Sequence, residues 1–396
     1  MKNSLPQDIL ALGTARSVIR ELFEFGKIRA AEVGAENVFD FSIGNPSVPA
    51  PDAINETAIR ILTQQPETIH CYTSAQGDAA VRQRFADSLN RRYGCRYTAD
   101  NFYVAVGAAA ALCCVFRGLS CPGDEYVLFA PYFPEYKVFI ESNGGKAVVV
   151  PPEIEHFQID FDALAAAITP NTKAVVINNP NNPTGVVYSR ETLERLAALL
   201  TEKSQEFGHT IYLISDEPYR EIAFPGSTVH WVPHFYRDTI VCYSFSKSLS
   251  LPGERLGYVL VPDQVTDSKQ VYAAVAGAGR SLGYVNAPSL FQQVTSLCCD
   301  MTADISVYER NCKLLVSSLR EMGYHVAEPG GAFYLFPRSL EPDDFAFSER
   351  AKQFGLLLVP GSGFGAPGHF RIAYCVQTEM IQRALPAFKA LAESYQ

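Results

Sequence analysis

Three apolar runs in this sequence stop at side chains that could do chemistry. Lys173 to Ile177 ends in Asn178-Asn179-Pro180-Asn181-Asn182-Pro183-Thr184-Gly185. Ile211 to Ile214 ends in Ser215-Asp216-Glu217-Pro218-Tyr219, and Ile240-Val241-Cys242-Tyr243 ends in Ser244-Phe245-Ser246-Lys247. Short apolar runs bounded by turn formers read as buried strands. In an open α/β sheet, ligands sit outside the carboxyl ends of the strands. An amide (Asn182), a carboxylate (Asp216), a phenol (Tyr219) and an amine (Lys247) therefore share one sheet edge. Taken alone, a lysine after a strand reads as a solvated loop charge. Beside these groups and partly desolvated, its amine is a candidate for Schiff-base chemistry with a carbonyl.

A phosphate-type feature lies upstream. Phe102 to Val106 reads as a strand, and Gly107-Ala108-Ala109-Ala110 opens a helix. A strand, a glycine and a helix N-terminus offer free backbone N–H groups to an anion. The local alternative is that alanines are simply good helix formers. A zinc site needs His or Cys, which this cluster lacks, and no histidine stands at these strand ends for a Ser/His/Asp triad. No metal is expected. A lysine, a carboxylate and a phosphate-type helix start suit pyridoxal phosphate. The lysine would form its imine, the carboxylate would hold the pyridinium nitrogen, and the phenol and amide would bond the ring oxygen.

The elements that must position these groups follow one rhythm. Strands at Glu125 to Ala130, Ala147 to Val150 and Gly257 to Val261 join those above, separated by helical patterns at Asp78 to Tyr93 and Ser189 to Lys203. This alternation gives βαβ units and a mostly parallel sheet flanked by helices. Val18 to Ala31 carries apolar residues at helical spacing. Two prolines between Ser47 and Asp52, Pro49 and Pro51, mark an extended connection. Beyond Asp267 the pattern turns helical to about Met322. Strands then follow at His325-Val326-Ala327, Phe333 to Phe336 and Phe370 to Tyr374, with a closing helix from Thr378. The expectation is an α/β chain with a large domain over residues 49–282. A smaller α+β domain combines residues 1–48 and 283–396.

Composition narrows the function classes. The 396 residues carry a net charge of −9, which opposes a nucleic-acid footprint. Hydrophobic residues make up 47%, an ordinary globular balance, and no apolar stretch is long enough to span a membrane. Ten scattered cysteines without a Cys-x-x-Cys motif suit reduced thiols and a cytoplasmic location.

Several segments together resemble the class I/II aminotransferases of the aspartate aminotransferase superfamily, which have the pyridoxal phosphate fold type I. These are Asn178 to Gly185, Asp216 to Tyr219, Ser244 to Lys247, and Pro252-Gly253-Glu254-Arg255-Leu256-Gly257-Tyr258. The resemblance covers nearly the whole chain. It implies that Lys247, Asp216, Tyr219 and Asn182 surround the cofactor ring, with Phe133 stacked on it. Gly107, Ala108, Ala109, Ser244 and Arg255 would hold the phosphate. Tyr72 would reach the phosphate of a neighbouring subunit, which implies a homodimer with shared active sites. Gly44, Asn182 and Arg371 would bind substrate, Arg371 through the α-carboxylate. A guanidinium offers a carboxylate two parallel hydrogen bonds. The phosphate loop departs from the family in having no hydroxyl.

The resemblance implies a transaminase acting on an L-amino acid and a 2-oxo acid, with Lys247 moving the proton. A β-elimination (C–S) lyase on the same scaffold is the alternative. Arg280, shortly before Asn286-Ala287-Pro288, is a candidate for reading a second substrate carboxylate. Gly361-Ser362-Gly363-Phe364-Gly365-Ala366 looks like a dinucleotide fingerprint, but Pro367-Gly368 follow it where a helix should start.

Overall fold

The computed structural model describes residues 5–14 and 18–396. Seven strands form the central sheet. Their spatial order is Phe102–Ala105, Gly257–Leu260, Thr239–Ser244, Tyr212–Asp216, Thr172–Asn178, Glu125–Phe129 and Lys146–Val150. Gly257–Leu260 runs antiparallel to both neighbours, and the other pairings are parallel. The expected mostly parallel sheet is therefore present.

Both faces of this sheet are covered, which is why its strands read as continuous apolar runs. Successive residues point to opposite faces. Leu128, Val176 and Ile214 pack with Leu112 and Phe116 of the helix Ala108–Leu119. Their neighbours Val127, Val175 and Leu213 pack with Leu196 and Leu200 of the helix Arg190–Phe207. The helix Ser289–Leu297 packs on Asp52–Gln64 and Ala79–Tyr93, so Val294 shares a cluster with Ile54 and Phe85.

A second core gathers Phe41, Tyr308, Leu315, Phe333, Phe370 and Phe388. Two small sheets frame it. Phe39–Asp40 pairs with Leu356–Leu357 in parallel, and Phe370–Ala373 lies antiparallel between Val359–Pro360 and Tyr334–Leu335. Tyr219 and Ile222 join this core, so the loop after Asp216 ties it to the sheet edge.

One local expectation needs correction. Residues 325–327 form no strand. Val326 is buried; the His325 carbonyl accepts Arg338 N–H at 3.0 Å, and the Val326 carbonyl accepts Arg320 Nη2 at 2.9 Å. These carbonyls find a side chain and a single N–H instead of a strand partner, so no ladder forms. The helix Val18–Val33 exists, yet it buries only Leu22 and Gly26, and Ile28 is exposed. Gly361–Phe364 is a single 3-10 turn, as expected of a segment that is no dinucleotide loop.

Candidate active site

Strand register brings the chemistry together. Asn178 pairs beside Asp216, and Asp216 beside Cys242. After Ser244 the chain makes one helical turn, Phe245–Ser248, which carries Lys247. It then returns antiparallel, with Gly257 opposite Ser244. That return puts Arg255 back at the edge it left. Gly107 caps the helix Ala108–Leu119 at φ 88°, a backbone region that favours glycine. A Cβ there would lie 2.8 Å from an Arg255 guanidinium nitrogen.

A cavity of about 300 Å³ opens at this edge. Gly44, Ala108, Ala109, Phe133, Asn182, Asp216, Tyr219, Ser244, Lys247, Arg255 and Arg371 line it. Three singled-out residues do not. Gly107 stands behind Arg255. Tyr72 is 94% exposed, on a loop held by bonds from Asn286 and Gln292 to Thr73. Arg280 is exposed in the last turn of the helix Ser268–Leu282, whose other face packs through Val271, Val275 and Ala278.

Asp216 is buried. Its Oδ2 accepts the Tyr136 hydroxyl at 2.5 Å and Asn178 Nδ2 at 3.4 Å, while Oδ1 has no partner. Desolvation pushes the carboxyl up to about 7, against the opposing Tyr136 bond. Lys247 donates to the Gly44 carbonyl at 2.6 Å and lies 5.4 Å over the Phe333 ring. Desolvation pulls its amine down to about 8, helped by Arg371 and Arg255 and opposed by Cys375. The hydroxyl of Tyr219 lies 3.0 Å from that of Tyr334, and burial raises its pKa well above the usual phenol value.

Arg371 is buried without a carboxylate partner among the described residues. It donates to Asn182 Oδ1 at 3.2 Å and to the Ser42 carbonyl at 2.5 Å, and its Nε is unpartnered. The rings of Tyr334 and Phe364 each lie 4.9 Å from its guanidinium carbon. Burial lowers its pKa. A buried, unpaired cation is costly and creates a strong demand for an anion.

Nine wall residues were not among the expected site residues, and four of them bear on its chemistry or shape. Tyr136 follows Phe133 at helical spacing, a signal that was available. Asn178 begins the Asn/Pro cluster, and its Oδ1 accepts the Asn182 N–H at 2.6 Å. Tyr334 sits in the expected strand beside Arg371. Ile19 is contributed by the first turn of the helix Val18–Val33.

The donor set fits pyridoxal phosphate. The orphaned Oδ1 of Asp216 is an acceptor for a protonated ring nitrogen. Lys247 supplies an amine, and Arg255 with the Ala108–Leu119 helix start supplies an anion cradle. No group of three or more His, Cys, Asp or Glu among the described residues could hold a metal.

Comparison with known proteins agrees. Residues 36–388 match the family model for aminotransferase class I and II. The chain is 32% identical over 360 residues to the aspartate/prephenate aminotransferase of Thermus thermophilus, covering 87% of this chain and 88% of that one. It is 32% identical to the aspartate aminotransferase of Thermotoga maritima, covering 91% and 92%. An amino transferase structure from Eubacterium rectale superposes with a TM-score of 0.98 at 52% identity over all of both chains. The aspartate aminotransferase of Thermus thermophilus with maleate gives 0.85 at 27% identity, over 98% of this chain and 100% of that one. The relatives named here are all aminotransferases, and none favours elimination. The chain belongs to the class I and II aminotransferases, enzymes that transfer an amino group between an amino acid and a 2-oxo acid.

Proposed function

We propose that this aminotransferase works with pyridoxal phosphate attached through Lys247. The observation that carries the reading is one cavity holding both the unpartnered Asp216 Oδ1 and the Lys247 amine. When bound, the cofactor supplies an electron sink for the bond broken at the substrate Cα. Asp216, oriented by Tyr136 and Asn178, would hold the ring nitrogen through Oδ1. Tyr219 and Asn182 would bond the ring oxygen, and Phe133, which lines the same cavity, would stack on the ring. Ser244, Arg255 and the N–H groups of Gly107, Ala108 and Ala109 hold the phosphate.

Arg371 takes the substrate α-carboxylate, which meets the anion demand of its buried guanidinium. Gly44 borders the same substrate space, and its carbonyl orients Lys247. With the cofactor held in this cavity, the Lys247 amine would be the group that takes and returns the substrate Cα proton. An amine near pKa 8 suits both halves of that work.

We further propose a homodimer with composite sites. Tyr72 is exposed, and bonds from Asn286 and Gln292 hold its loop against the segment that follows the Arg280 helix. Both residues thus have a route to a second subunit, where Arg280 would read a distal carboxylate such as that of 2-oxoglutarate. All ten cysteines are unpaired, which supports a reducing cytoplasm. No helix among the described residues is long and apolar enough to cross a membrane. A panel of amino acids with 2-oxoglutarate, pyruvate or oxaloacetate tests the reading. New keto acid without ammonia is expected, and ammonia release would overturn it.

A further inference from the structure

Tyr334 enters the cavity from the second core. It stands on the strand Tyr334–Leu335, paired with Ala373 of the strand that carries Arg371. Its hydroxyl lies 3.0 Å from that of Tyr219, which follows the central sheet edge. The two rings meet edge to face at 84°. The same ring lies under the Arg371 guanidinium at 4.9 Å. A Cβ on Gly44 would come within 2.0 Å of the Tyr334 oxygen, so the chain passes this close only as glycine. Tyr334 therefore touches a cofactor residue, a substrate residue and the turn that orients Lys247.

Either phenol of the pair can be the donor. Once Tyr219 gives its hydrogen to an oxygen in the cavity, only Tyr334 can donate between the two. A hydroxyl that accepts a hydrogen bond donates a stronger one in turn. We propose that Tyr334 is a positioning residue whose O–H donates to Tyr219 and strengthens the bond Tyr219 gives to the cofactor ring oxygen, while its ring supports Arg371. The proposal rests on the reading of Tyr219 given above. Burial raises Tyr334 to about 12, so its hydrogen is present at neutral pH. Asp216, Arg371 and Cys375 face the pair, Lys247 lines the same cavity, and all four survive a change of Tyr334 to Phe.

The test is a spectrophotometric pH titration of the cofactor-loaded protein. Wild type, Tyr334→Phe, Tyr219→Phe and the double variant are compared. A weaker bond leaves the ring oxygen more basic, so the chromophore titrates at higher pH. The midpoint should rise by roughly 0.5 to 1 pH unit in Tyr334→Phe, the size of one net hydrogen bond. It should rise further in Tyr219→Phe and not beyond that in the double variant. Phe keeps the ring under Arg371, so 2-oxoglutarate affinity should stay within about twofold, whereas Tyr334→Ala should weaken it more. An unmoved midpoint in Tyr334→Phe, with Tyr219→Phe shifted, overturns the proposal. Additive shifts in the double variant overturn the route through Tyr219. An unmoved midpoint in Tyr219→Phe instead overturns the underlying reading of Tyr219, and the proposal with it.

Discussion

Tyr136 donates its phenol hydrogen to Asp216 Oδ2 at 2.5 Å and leaves Oδ1 buried without a partner. One oxygen is anchored, and the other is held ready for a donor. Removing the anchor raises the cost of keeping the carboxylate ionised, because the Tyr136 bond lowers its pKa against desolvation. Tyr136→Phe should therefore weaken pyridoxal phosphate binding by roughly tenfold, the worth of a hydrogen bond to a charged group. An absorbance titration of the cofactor-free protein measures it. An unchanged Kd would show that Asp216 does not depend on Tyr136.

Lys247→Ala should still bind the cofactor, because Asp216, Tyr219, Ser244 and Arg255 remain in the cavity wall. Borohydride treatment should fix the cofactor to wild-type protein at Lys247 and leave the variant unlabelled. A labelled peptide containing any other lysine would sink the assignment.

The Lys247 amine sits near 8 in the folded chain, against an ordinary value of 10.5. Between those two values the unfolded chain keeps a proton that the folded chain has lost, so stability rises with pH there. The destabilising contribution of Lys247 is complete below about pH 8 and is relieved toward 10.5. Cofactor-free Lys247→Met should thus melt above the wild type at pH 7, and the gap should close as pH approaches 10. Scanning calorimetry across that range decides it, and a gap independent of pH would rule the mechanism out.

Composite sites predict complementation. Tyr72→Phe and Lys247→Ala subunits, each weak or inactive alone, should regain activity on mixing, since one site of a mixed dimer is intact. Subunit exchange is followed separately by native mass spectrometry. Verified exchange without recovery would argue against a shared site.

The two arginines should separate by substrate. Arg371→Lys keeps the charge but loses the bidentate geometry, so kcat/KM should fall by about a hundredfold for every amino acid. Arg280→Ala should lower kcat/KM for aspartate and glutamate by at least about tenfold and leave alanine nearly unchanged. Equal losses for both classes, or none, would remove Arg280 from the site.

The residue sequence by itself determined the sheet edge and its chemistry. Asn182, Asp216, Tyr219 and Lys247 stand just beyond apolar runs, and a buried strand must end where such a run ends. The resemblance extended this to Arg255 and Arg371, because both lie within short motifs that are read locally. Only tertiary structure decided which groups touch. The Arg371–Asn182 bond joins residues 189 apart in the chain, and Tyr219–Tyr334 joins residues 115 apart. Such contacts depend on how one core seats against another, which no local periodicity encodes. Helix phase decided the exposure of Arg280. Its helix buries Val271, Val275 and Ala278, and Arg280 falls on the opposite face. The partners of Asp216 likewise depend on a helix packing against the sheet edge, because Tyr136 reaches the carboxylate across that interface.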